Sequence, residues 1–130
     1  MSSLVLVDSN YWIRMIALRR EPFEELAAYT GDYDFAINGI IWIEVVRGRS
    51  DPNKRARFDE GFSTMPVLEL SAAGWQRAAA LAWQMDRLGR VIPLTDLAIA
   101  ATAMEHDAAV LTFDRHFQHI PGLVVVNDLP

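Results

Sequence analysis

Short unbroken apolar runs recur along the chain, separated by longer stretches in which apolar positions return every three or four residues. Leu4-Val5-Leu6-Val7 is the first run, and it stops at Asp8. Phe35-Ala36-Ile37, Val67-Leu68, Val110-Leu111 and Leu123-Val124-Val125-Val126 are built alike. Alternation of apolar and polar residues marks a strand with one wet face. Runs without it suit a parallel sheet covered on both faces. The stretches between predict helices over 10–20, over 22–29 with Pro22 in a favoured first-turn position, and over 40–47, closed by Gly48. Asp51-Pro52 opens a fourth helix reaching Phe62. Ser71 caps a longer one, in which Trp75, Ala78, Leu81, Ala82, Met85 and Leu88 recur at helical spacing and Gly89 marks the end. Thr95 or Asp96 begins an Ala-rich helix ending at His106, and a short helical turn covers 115–119. Strands alternating with helices predict an α/β fold, a three-layer α/β/α domain with a central, mainly parallel sheet of about five strands.

The order of the runs predicts where a ligand binds. Strands two and three follow the first on one side, and the late strands extend the sheet on the other. Such a reversal opens a crevice at the carboxyl ends of the strands. Asp8 ends strand one, Asp114 follows a strand over 109–113, and Asp96 opens the helix leading into that strand. All three are thereby expected at one edge.

With Glu44 they make four candidate carboxylates. Each Asp also has an ordinary reading as a helix cap or a first-turn acid favoured by the dipole. Glu44 sits in Ile40-Ile41-Trp42-Ile43-Glu44-Val45-Val46, a helix apolar nearly all round and therefore expected to be largely buried. A buried carboxylate is costly unless paired or bound to a metal, and Arg47, three residues on, offers the pairing. Several acids in one site make chemical sense, because hard divalent cations take oxygen ligands. An ion so held stabilises charge on a phosphodiester and lowers the pKa of water to give a nucleophile.

Composition changes this picture only at the margins. At 130 residues the chain has the length of one domain, and 52% apolar residues suffice for a core. No run of about 18 apolar residues predicts a membrane span. Met1-Ser2-Ser3 leads straight into a strand, unlike a signal peptide. The absence of cysteine excludes thiolate metal sites and suits a reducing cytoplasm. A net charge of −5 speaks against nucleic-acid binding, but Lys54 is the only lysine among 12 basic residues. The basic residues cluster as Arg14, Arg19 and Arg20, then Arg47, Arg49, Lys54, Arg55 and Arg57, which serve either phosphate contact or solvated helix faces. His106, His116 and His119 are read as surface residues, and Asn10 as a local cap.

Four segments together resemble the PIN-domain family, in its VapC-type toxin branch. They are Val7-Asp8-Ser9-Asn10, Ile43-Glu44-Val45-Val46-Arg47-Gly48, the run from Leu94-Thr95-Asp96 through Ala103, and Val110-Leu111-Thr112-Phe113-Asp114-Arg115-His116-Phe117 with Ile120-Pro121-Gly122-Leu123. The order and spacing match over essentially the whole chain, so residues 1–130 are expected to form a single PIN domain. The resemblance implies a Mg²⁺- or Mn²⁺-dependent endoribonuclease, a homodimer, and a cognate antitoxin that blocks the site in the cytoplasm. It assigns Asp8, Glu44 and Asp96 to the metal, with Asp114 at the family's most variable acidic position. Ser9 and Thr112 become supporting residues that orient a carboxylate, or else bond the local backbone. Arg47 either contacts phosphate or antitoxin, or pairs with Glu44.

Three other readings compete. A phosphoacceptor receiver domain needs an acid pair near strand one, an Asp ending strand three and a late lysine; the third strand runs through Glu69-Leu70 and Lys54 is early. A metal-dependent phosphatase or DNA-directed nuclease would use the same acids, and only the resemblance chooses RNA. A non-catalytic protein-binding module on the same scaffold would be free to lose the acids. Trp75 and Trp83 are read as core residues, with an interface as the alternative.

Overall fold

The computed structural model describes residues 3–129. Met1 and Ser2, on which part of the leader reading rests, lie outside them. Strand β1 (Ser3–Val7) is followed by α1 (Ser9–Ala17), α2 (Pro22–Ala27), β2 (Tyr33–Ala36), α3 (Gly39–Arg47), α4 (Pro52–Ser63), α5 (Ala72–Arg87), α6 (Leu94–Glu105) and β3 (Ala109–Leu111). A 3₁₀ turn (Arg115–His119) and β4 (Val125–Val126) complete the described chain.

The four strands form one parallel sheet in the order β2-β1-β3-β4. Successive residues of a strand face opposite sides, yet Val5, Leu6 and Val7 are all buried. Helices therefore cover both faces, as the unbroken apolar runs predict. The register pairs Val5 with Phe35 on one side and Ala109 on the other, so the carboxyl ends of β1 and β3 come out level at Val7 and Leu111.

The expected strand at Val67-Leu68 shrinks to a single parallel bridge between Val67 and Ile37. Ile37 N donates to Pro66 O and Leu68 N donates to Ile37 O. Pro66 has no N–H to extend the ladder backwards, so the fifth strand ends before it starts. Its place beyond β2 is nevertheless the predicted one.

Under the sheet, α1, α2, α3 and α4 meet in an aromatic cluster. Trp12 is fully buried, 5.0 Å from the rings of both Phe23 and Phe62, and Phe58 and Trp42 close the group. Trp12 Nε1 donates to Val7 O at 3.2 Å, tying the cluster to the last residue of β1. Gly61 permits this packing, because a Cβ there would strike the Phe23 ring. Elsewhere α6 presents Ile99, Ala100 and Ala103 to the core, and α5 packs on α6 and buries Met85. No helix among the described residues is long and apolar enough to cross a membrane.

Helix α3 is less buried than expected. Ile41 and Val45 are buried, Glu44 is half-buried, and Ile43 is 61% exposed. Trp75 and Trp83, read as core residues, are also exposed. Helix α1 stops at Ala17 rather than Arg20, because Arg19 turns into the left-handed region at φ 57°.

Candidate metal centre

The site is assembled from the ends of elements. Asp8 is the first residue after β1 and the N-cap of α1; Asp114 caps the 3₁₀ turn just beyond β3. Asp96 lies in the first turn of α6 and Glu44 near the end of α3. These are four different elements at the carboxyl edge of the sheet, beside the point where its order reverses.

Hydrogen bonds link three of the acids into a chain. Ser9 Oγ donates to Glu44 Oε1 at 3.0 Å and lies 3.4 Å from Asp8 Oδ1. Asp8 Oδ1 accepts from Ser9 N at 2.8 Å. On the other side Thr112 Oγ1 is 2.8 Å from Asp8 Oδ2 and 3.0 Å from Asn10 Oδ1, and its one proton serves either acceptor in turn. Thr112 Oγ1 accepts from Asp114 N at 3.0 Å. Ser9 and Thr112 thus hydrogen-bond the two oxygens of Asp8, and Thr112 itself is wholly buried.

Asp96 differs from the other aspartates. The N-cap of α6 is Pro93, and no side chain caps the helix. The capping role read as one option for Asp96 is therefore not used. Its neighbour is the His116 ring, with Nδ1 3.9 Å away; the same nitrogen is 3.3 Å from Asp114 Oδ1. Exposure grades the site: Asp8 is 2% exposed, while the side chains of Asp96, Asp114 and His116 reach 16%, 29% and 58%. Asp8 is the floor and His116 the mouth.

The electrostatics are unfavourable to the protein alone. Burial pushes Asp8 up from 3.8 to about 6, against the lowering hydrogen bonds from Thr112 and Ser9, and the charges of Glu44 and Asp114 add to the rise. Burial likewise pushes Asp96 up to about 6, helped by the charges of Asp8, Asp114 and Glu44, with His116 opposing. Among the described residues no Arg or Lys forms an ion pair with any of the four acids. Like charges gathered in a half-buried place, with oxygen donors and no Arg or Lys paired to them, fit a hard divalent cation.

Arg47 does not join the group. It is exposed, makes no ion pair with Glu44, and lines a groove with Trp42, Ile43, Arg49, Arg55 and Asp59. Other basic residues are engaged locally: Arg57 with Glu21 at 2.7 Å, Arg55 with Asp59 at 3.8 Å, and Arg14 over the Phe113 ring. Arg19, Arg20, Lys54 and Arg57 bring the two basic clusters of the sequence into a single groove.

Two residues do more than their sequence context suggests. Asn10 is not a local cap, because its Oδ1 accepts from Thr112 Oγ1 and from Phe113 N at 3.2 Å, pinning α1 to the loop after β3. His116 is exposed, as expected of a surface residue, and its ring also faces Asp96 and Asp114. The signal for it was the spacing in Asp114-Arg115-His116: Asp114 accepts from His116 N at 2.9 Å, and a cap of that kind folds the second residue back beside the carboxylate. His106 and His119 do sit at the surface, bonded to Glu69 O and to Arg90.

An open parallel sheet with four carboxylates at its switch point defines the class of architecture. The PIN domain profile matches residues 5–123, and the chain belongs to the PIN domain family. Ribonuclease VapC2 of Rickettsia felis is 24% identical over 132 residues, spanning 95% of this chain and 97% of the relative. Among solved structures, a chain of VapBC2 from Rickettsia felis bound to a DNA fragment from their promoter aligns with a TM-score of 0.80 at 20% identity, covering 95% of this chain and 97% of that one. A chain of DNA-bound VapBC from Salmonella typhimurium gives 0.78 at 25% identity, over 97% and 98%. A chain of a toxin–antitoxin complex from Klebsiella pneumoniae is 30% identical with a TM-score of 0.74, over 95% and 96%.

Proposed function

We propose that this chain is a Mg²⁺- or Mn²⁺-dependent endoribonuclease and the toxin of a toxin–antitoxin pair. The observation that carries the reading is the convergence of Asp8, Glu44, Asp96 and Asp114, with Asp8 and Asp96 held near 6 by burial and mutual repulsion. Similarity to a VapC ribonuclease supports RNA as the substrate. Similarity to chains of VapBC and toxin–antitoxin complexes supports an antitoxin as the partner.

Asp8, Asp96, Glu44 and Asp114 would hold the cation. When bound, it polarises a phosphodiester oxygen and lowers the pKa of water for attack. The protein's own part is positioning. Thr112 and Ser9 N–H fix the two oxygens of Asp8, Ser9 Oγ turns Glu44 inward, and the Thr112–Asp114 contact sets the far wall. The basic groove of Arg19, Arg20, Lys54 and Arg57 is available to phosphates, as is Arg47. An antitoxin that places an arginine among the carboxylates would supply the missing counter-charge and compete with the cation. The exposed Trp75, Trp83, Leu88 and Val91 are available to a homodimer interface. We place the protein, as one PIN domain, in the cytoplasm with its RNA.

The test is incubation of the antitoxin-free protein with total RNA and Mg²⁺ or Mn²⁺, beside Asp8→Asn, Asp96→Asn and an EDTA control. Discrete cleavage lost in all three controls is the expected result. Equal inertness of wild type and variants with either metal would leave a protein-binding module instead.

A further inference from the structure

Among the described residues, Asp96, Asp114 and His116 are a group whose potential ligand atoms all lie within 4.8 Å of one another. His116 Nδ1 stands 3.3 Å from Asp114 Oδ1 and 3.9 Å from Asp96 Oδ2. Ligands held about 2.1 Å from one octahedral ion are roughly 3.0 Å apart when adjacent and about 4.2 Å when opposite. The 3.3 Å separation is near the adjacent value and the 3.9 Å separation lies between the two, so a small closing of the side chains brings the group onto one ion.

The imidazole is held there by its backbone. Asp114 caps the turn by accepting from His116 N, and the wholly buried Phe117 with the buried Ile120 anchors the turn to the core. The two carboxylates come from separate elements, α6 and the loop after β3, and the ring lies against both. His116 is also the only basic side chain within ion-pair distance of any of the four acids among the described residues.

We propose that His116 is a further ligand of the metal centre, supplying Nδ1 to a cation held by Asp96 and Asp114. The inference rests on the metal-dependent reading above and adds the identity of the donor at the mouth of the site. A nitrogen donor makes the set mixed rather than all-oxygen. Mg²⁺ prefers oxygen and keeps its waters, whereas imidazole suits later first-row ions. The site is thereby biased away from Mg²⁺ and toward Mn²⁺ and its heavier neighbours. The rival role for His116 is a charge partner of the two acids that swings away when a cation enters.

Mn²⁺ decides between them, because it is paramagnetic and reports directly bound nitrogen. Metal-free wild type, His116→Gln and Asp96→Asn are titrated with Mn²⁺, with free ion read by electron paramagnetic resonance. The bound ion is then probed for ¹⁴N coupling by electron spin echo modulation, and Mg²⁺ affinity is obtained by competition. Wild type is expected to show ¹⁴N coupling. His116→Gln is expected to lose the coupling and to bind Mn²⁺ about 10-fold more weakly, with a smaller change for Mg²⁺. The glutamine replaces an exposed side chain, so an unchanged melting temperature verifies the fold. Mn²⁺ binding that depends on Asp96 but shows no ¹⁴N coupling, or coupling that persists in His116→Gln, overturns the ligand role and leaves the metal centre standing. Failure of wild type to bind Mn²⁺ at all overturns both.

Discussion

Two regions meet at Val7, and they are built on opposite principles. Below it, the aromatic cluster of Trp12, Phe23, Phe58 and Phe62 contains no charge and every ring leans on another. Above it, one residue further along the chain, begins a group of acids that repel one another and are short of water. The first region stores stability. The second gives some of it up to gather carboxylates at the proposed metal centre. Trp12 joins the two through its bond to Val7 O. The folded state of the lower region keeps the upper one assembled.

Removing the support should have the largest effect. Trp12→Ala deletes a wholly buried indole that pairs with the rings of Tyr11, Phe23 and Phe62, and a loss of about 3–5 kcal/mol is expected from such a truncation. Urea unfolding measures it. A loss below about 1.5 kcal/mol would mean that the cluster relaxes around the cavity and does not hold the site.

Asp96→Asn should split activity from stability. The substitution removes a ligand of the proposed metal centre, and cleavage should fall by at least about 100-fold. In metal-free protein at neutral pH it should raise the melting temperature by a few degrees, since the charge it removes is buried among like charges and caps nothing. The pH dependence has a definite sign. Asp8 and Asp96 ionise near 6 in the fold and near the ordinary 3.8 in the unfolded chain. Between those values the folded protein holds more protons than the unfolded one, so stability falls as pH rises through the window. The advantage of Asp96→Asn over wild type should therefore be absent below pH about 4, grow toward 6 and level off above. Added Mn²⁺ should abolish the advantage at neutral pH. Paired melting curves at pH about 4.5 and about 7.5 show whether it does; a lower melting temperature for the variant at both would deny that the acids are strained.

The contrast between the regions also explains what the sequence reveals. Unbroken apolar runs mark all four strands, and at β1, where Val5, Leu6 and Val7 are all buried, coverage of both faces demands the run, whereas β4 is only partly buried. The acids were visible because strand and helix ends carry them to one edge. A fifth strand does not extend from Val67-Leu68, which has the apolar pattern, because Pro66 withholds the donor. Helix α3 is less buried than its composition suggests because hydrophobicity reports what a face can cover, and Ile43 remains uncovered. The Glu44–Arg47 pairing fails for a related reason: Ser9, distant in sequence, takes Glu44 inward while Arg47 stays outside. Asn10 and His116 depend on where a loop and a turn bring a side chain, which periodicity does not encode.

Thr112→Val tests whether the floor of the site needs its hydroxyl. The substitution keeps the shape, but it leaves Asp8 Oδ2 and Asn10 Oδ1 without that donor and Asp114 N without its acceptor. Second-sphere losses of this sort weaken metal binding or activity by roughly 10–100-fold, and the lower figure is expected because Ser9 N still holds Asp8. Metal titration alongside cleavage separates a loosened site from a lost fold. Full activity in a folded variant would remove Thr112 from the positioning residues.

The smallest effect concerns strain in the lower region. Helices α1 and α5 end in the same way. Arg20 N donates to Met15 O and Arg19 N to Ile16 O, as Arg90 N does to Met85 O and Gly89 N to Asp86 O. Both ends place one residue in the left-handed region, Gly89 at φ 75° and Arg19 at φ 57°. Glycine takes that conformation freely, whereas a residue with a Cβ does so at a cost. Arg19→Gly should therefore raise stability by about 0.5–1 kcal/mol, read as a higher urea midpoint with unchanged slope. Gly89→Ala should lower it by a similar amount. If Arg19→Gly instead leaves the midpoint unchanged or lowers it, the arginine side chain offsets its own backbone strain through the groove it lines with Glu21 and Phe58. Strain would then be balanced locally at this helix end, and the acid edge would remain the place where the fold leaves it to a ligand.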